Sequence, residues 1–79
     1  MEKTMAFEKV KSFAKQQMNI DDKKFTLDAR LIEDLGADSA NLMMLVMDLE
    51  DAFNITVEND ALENIKTVGD IVDYVSVHA

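Results

Sequence analysis

The stretch EDLGADSANLMML, residues 33–45, decides the fold. Gly36 marks a turn, and Asp38 can cap a helix that starts just after it. At roughly 100° per residue, Leu42, Leu45, Val46, Leu49 and Phe53 fall in one arc, which predicts a helix over 39–53 with that arc toward the core. The opposite arc holds Ala40, Met43, Met44 and Met47 beside Asp48 and Asp51. This helix is therefore apolar on two faces, and only one of them can be core.

Working outward, residues 5–18 place Ala6, Phe7, Val10, Phe13, Ala14 and Met18 at three- and four-residue intervals, the stripe of an amphipathic helix. Thr4 is the expected N-cap. Residues 19–38 show no helical stripe. So long a connection must pack if the domain is to be compact, and Ile20, Phe25, Leu27, Leu31, Ile32 and Leu35 are the expected anchors. Downstream, a short helix around 58–64 turns Ala61, Leu62 and Ile65 inward. The last helix opens with Thr67 and Asp70 at capping-box spacing and carries Val68, Ile71, Val72 and Val75 as its stripe. Gly69 costs that helix about 1 kcal/mol relative to Ala. No strand alternation competes. The expectation is an all-α four-helix bundle, with three main helices, one short helix and a long first loop, in a single domain spanning 1–79.

Composition narrows the function. The chain has 79 residues and no cysteine, so neither a disulfide framework nor a thiolate metal site is available. No D-x-D-x-D-G loop is present, and no metal site is expected. The N-terminus lacks a secretory h-region, and no apolar run reaches the ~20 residues of a membrane span. The expected location is the cytoplasm, or an organelle matrix if a transit peptide has been removed. Residues 1–24 carry six Lys against four acids, net +2; residues 25–79 carry Arg30 and Lys66 against twelve acids, net −10, which together give the −8 of the chain. Such a surface repels nucleic acid and attracts basic protein patches. A solvated acidic face kept only for solubility is the simpler alternative.

Ser39 is the residue to explain. A nucleophilic serine needs a base and oxyanion donors. The one histidine is His78, at a chain end, and residues 31–65 contain no lysine. The residues after Ser39 are Ala40 and Asn41, so the G-x-S-x-G elbow is absent. Catalysis by Ser39 is not expected, and the chain is not read as an enzyme. The first turn of a helix does favour an anion, so a phosphate ester on Ser39 would be well placed. Serine there can also act merely as a cap, although Asp38 is already able to fill that role.

LIEDLGADS (31–39), the downstream DLEDAFNITV (48–57) and IKTVGDIVDYV (65–75) together resemble the acyl carrier proteins. The likeness spans nearly the whole chain, in length, helix order and acidity. It implies a four-helix bundle whose serine, here Ser39 preceded by the motif aspartate Asp38, bears 4′-phosphopantetheine added from coenzyme A by a phosphopantetheinyl transferase. It implies a monomeric carrier of acyl thioesters for fatty-acid synthesis enzymes with basic patches. The helix at 39–53 would be the recognition helix, through Asp38, Ala40, Met43, Met44, Met47, Asp48, Glu50 and Asp51. An acyl chain would lie against Leu45, Val46, Leu49, Ala61, Leu62 and Ile71. Family members usually have Leu where this chain has Ala40, and often acids at Asn41 and Met44. That departure keeps open a carrier dedicated to a polyketide, peptide or modified-lipid pathway. An unmodified acidic interaction module is the alternative from another class.

Overall fold

A computed structural model describes residues 2–79. Four helices follow in order: α1 (Lys3–Gln17), α2 (Ser39–Phe53), α3 (Asn59–Asn64) and α4 (Val68–His78), with one 3-10 turn at Asp22–Lys24. The all-α expectation holds, and α1 packs against both α2 and α4. One buried cluster joins Ala6, Val10 and Ala14 of α1 to Leu45, Val46 and Leu49 of α2 and to Val68, Ile71, Val72 and Val75 of α4. Burying each of the Val, Leu and Ile side chains contributes roughly 1.5–3 kcal/mol, and each Ala methyl less. Among the described residues no helix is long and apolar enough to cross a membrane.

The start of α1 differs from expectation. Glu2, not Thr4, occupies the N-cap, without a side-chain cap bond. The amide of Ala6 already donates to the Glu2 carbonyl, so the first turn closes before Thr4 could cap it. Phe7 and Phe13 are only half-buried, while the small Ala6 and Ala14 are fully buried. Phe7 instead packs on Phe25 of the loop, ring centroids 5.4 Å apart at 55°.

The long loop is pinned by Ile20, Phe25 and Leu31, joined by Ala29 and Ala37, which the apolar pattern did not single out. Leu35 is half-buried. Leu27 and Ile32 are not anchors: they are 51% and 54% exposed. What ties their segment down is the backbone. Leu31 donates to the Lys66 carbonyl, and the amides of Val68 and Gly69 donate to the carbonyls of Ala29 and Leu27, each at 2.9 Å. A helix start leaves such amides without partners, and here the loop supplies the acceptors. A side-chain pattern cannot register that kind of anchor.

Two ends follow from sequence chemistry. Asp70 accepts from the amides of Lys66 and Thr67 at 3.0 and 3.1 Å, and its own amide donates to the Thr67 hydroxyl, completing the expected capping box of α4. At the far end of α2, Asn54 takes a left-handed conformation (φ 54°) that turns the next amide, Ile55, back to donate to the Glu50 carbonyl at 3.2 Å. In α3, Ala61 and Leu62 are half-buried, and Ile65 is buried just beyond it.

Candidate functional site

The approach to Ser39 is built from the loop inward. Gly36 sits at φ +76°, a conformation that an L side chain rarely adopts. The turn it makes lets Ala37 donate to the Leu31 carbonyl at 3.0 Å and bury its methyl. Asp38 then reaches the N-cap in extended conformation. Its carboxylate accepts from the Asn41 amide at 2.7 Å, and the Asn41 side-chain oxygen accepts from the Asp38 amide at 3.4 Å. Capping thus falls to Asp38 and Asn41. Ser39 is the first helical residue and is exposed. Among the described residues no group bonds its hydroxyl. By helix geometry the amides of Ser39 and Ala40 have no partner inside the helix, and the positive end of the macrodipole lies there.

The exposed side of α2 is more apolar than its acid count suggests. Met43, Met44 and Met47 are 46%, 50% and 58% exposed, and Ala40 and Asp51 are exposed beside them. Asp48 is placed differently from expectation. It is half-buried and accepts from Gln17 Nε2 of α1 at 2.6 Å, because its arc borders α1 rather than open solvent. Glu50 is half-buried too, and accepts from the Val57 amide at 2.9 Å, holding the turn after α2. Of the four acids expected on the recognition face, only Asp38 and Asp51 are exposed.

Arg30, one of two cations after residue 24, is already engaged. It pairs with Glu33 and forks onto Asp34 through Nε at 3.2 Å and Nη2 at 3.1 Å. These bonds hold the Asp34 carboxyl below its ordinary value and raise the guanidinium above its own. Of the nine acids in residues 31–65, Glu33 and Asp34 are taken by Arg30, and the other seven lie in a segment with no Lys or Arg of its own.

Leu45, Val46, Leu49 and Ile71 are close-packed in the core. Nearer Ser39, a groove of about 330 Å³ opens between Leu31, Ile32, Leu42 and Ile65, with Arg30, Glu33 and Lys66 along its wall. Leu42 lies three residues after Ser39 and therefore one turn along the same helix. That spacing is the signal in the sequence that could have identified the groove. Ala61 lines a separate cleft of about 410 Å³ between α3 and α4, with Tyr74 and Val77.

Comparison with known proteins agrees with this geometry. The family described as "Phosphopantetheine attachment site" matches residues 8–75. An acyl carrier protein of Thermotoga maritima is 49% identical over 69 residues, covering 87% of this chain and 85% of its own. One from Exiguobacterium sibiricum is 52% identical over 60 residues, 76% of each chain. The solved acyl carrier protein of Enterococcus faecalis superposes with a TM-score of 0.82 at 30% identity, over 100% of both chains. With the match running from α1 into α4 and the helices in the same arrangement, this chain belongs to the acyl carrier protein family.

Proposed function

We propose that Ser39 is the residue to which 4′-phosphopantetheine is attached, and that the protein presents acyl groups to the enzymes of fatty-acid synthesis without catalysing a step of its own. One observation carries this reading: Asp38 and Asn41 satisfy the cap between themselves, leaving an exposed serine hydroxyl unbonded in the first turn. A phosphodiester fits there. Its charge would sit at the positive end of α2, within reach of the amides of Ser39 and Ala40. When attached, the arm supplies a terminal thiol that carries acyl groups as thioesters.

The chain's own residues position and shelter. Asp38 fixes the turn and adds charge beside the serine. Ala40, Met43, Met44, Met47 and Asp51 form the face that partners read, the phosphopantetheinyl transferase first among them. Asp48 and Glu50 support that face from behind. The groove beside Leu42 is where an acyl chain would enter, and Leu45, Val46, Leu49, Leu62 and Ile71 would line its deeper course after a modest repacking. The reading places one carrier domain, residues 1–79, in the cytoplasm as a monomer.

A second reading keeps Ser39 and changes the clients. The neutral, methionine-bearing first half of α2 favours a pathway whose enzymes offer an apolar patch rather than a purely basic one. Binding kinetics of Met44→Glu against a standard ketosynthase separate the two: faster or tighter binding supports the dedicated carrier, and weaker binding supports the housekeeping one. For the common claim, incubation with coenzyme A, magnesium and a phosphopantetheinyl transferase should add one arm, mapped by proteolysis to the peptide containing Ser39. Recovery of the arm on any other peptide overturns the assignment.

A further inference from the structure

Three of the six methionines lie within five residues of α2, and the core uses none of them. Met43, Met44 and Met47 stand in solvent, while Leu45, Val46 and Leu49 fill the interior. Met43 follows Ser39 by four residues and precedes Met47 by four, so the serine and these two thioethers run in a row along one face. Met44 stands beside that row. We infer that this cluster is a site of reversible methionine oxidation, and that oxygen on these sulfurs turns off docking on α2. The inference rests on the reading of Ser39 and α2 given above.

The chemistry needs a peroxide as co-reactant. One oxygen atom is transferred to the thioether: the S–O bond forms as the O–O bond breaks, and sulfur gives up two electrons. With hydrogen peroxide, the departing hydroxide takes a proton and leaves as water. Methionine sulfoxide reductases, one for each sulfoxide epimer and drawing electrons from thiols, reverse the step. With no cysteine in the polypeptide, exposed thioethers are its soft oxidisable groups. The consequence for docking is direct. A partner that encloses a methionine gains apolar burial, whereas one that encloses a sulfoxide must strip water from a strong acceptor. The fold is spared because the buried face of α2 is Leu and Val. Met18, half-buried against the core, and Met5, exposed on α1, are internal comparisons.

The test uses the full chain before any arm is attached. It is treated with hydrogen peroxide, the peroxide is destroyed with catalase, and sulfoxides are located by peptide mass spectrometry. The rate of loading by a phosphopantetheinyl transferase is then measured with coenzyme A. The expected result is oxidation of Met43, Met44 and Met47 several-fold faster than Met18, with helicity unchanged. Loading should slow several-fold and return after treatment with reductases for both sulfoxide epimers. In a variant carrying Met43→Leu, Met44→Leu and Met47→Leu, peroxide should leave the loading rate unchanged, whatever its starting value. An unchanged rate in the fully oxidised wild type, or an equal peroxide effect in the triple variant, overturns the inference. Failure of the untreated chain to load would overturn the Ser39 reading along with it.

Discussion

The amide of Gly69 donates to the carbonyl of Leu27 at 2.9 Å, and a Cβ at position 69 would stand 2.9 Å from that same oxygen. A glycine inside the first turn of α4 is therefore required by the approach of the loop, and its helix cost is offset by a bond that pins a segment whose side chains do not.

Gly69→Ala should for this reason destabilise the protein. Helix propensity alone predicts a gain of about 1 kcal/mol. The contact with a backbone atom cannot be relieved by a rotamer change, and overpacking of this kind typically costs about 1–3 kcal/mol. Thermal unfolding followed by circular dichroism decides the sign. A higher melting temperature would mean that the loop yields freely at Leu27.

Asp70 gives the capping of α4 a pH dependence. Its carboxyl is held below the ordinary 3.8, chiefly by the Lys66 amide and also by Thr67. A carboxyl depressed in the folded state contributes its stability fully above the unfolded value, and that contribution fades as pH falls through the folded one. Asp70→Ala should cost about 1 kcal/mol at neutral pH. The difference from wild type in urea unfolding should shrink steadily below pH 4. A difference that persists undiminished in acid would assign the loss to packing.

The acids of α2 should separate by role. Asp51→Lys reverses a charge on an exposed rim, so association with a basic ketosynthase should slow and lose salt dependence while stability holds. Glu50→Ala removes the acceptor of the Val57 amide and should cost about 1 kcal/mol of stability, with a smaller effect on association. Stopped-flow binding and denaturant unfolding of both variants check this. A Glu50→Ala protein of wild-type stability but slowed association would return Glu50 to the docking face.

Much of this was legible in residues 33–45 and in the helical stripes. Gly36, the Asp38 cap, the core arc of α2 and the Thr67–Asp70 box are local signals, set by backbone chemistry within a few positions. One miss is local, the N-cap of α1, which falls at Glu2 and not Thr4; the others are non-local. Leu27 and Ile32 look like anchors until the carbonyl of Leu27 is seen to do the anchoring. Asp48 and Glu50 look like surface charge until Gln17 and Val57, 31 and 7 residues away, claim them. The exposure of the methionines could not be read from the helical period alone. An arc opposite the core is solvent only if nothing else covers it.

The central claim is that Ser39 tethers the arm. The most direct measurement is intact mass after coexpression with a phosphopantetheinyl transferase, for wild type and for Ser39→Ala, with circular dichroism on both. A single added phosphopantetheine is expected on wild type, none on Ser39→Ala, and the same helical spectrum for each. Because the Ser39 hydroxyl takes no part in the cap, removing it should leave the fold intact. Modification of Ser39→Ala, or a wild-type chain that stays unmodified while a known carrier is loaded alongside it, would contradict the claim.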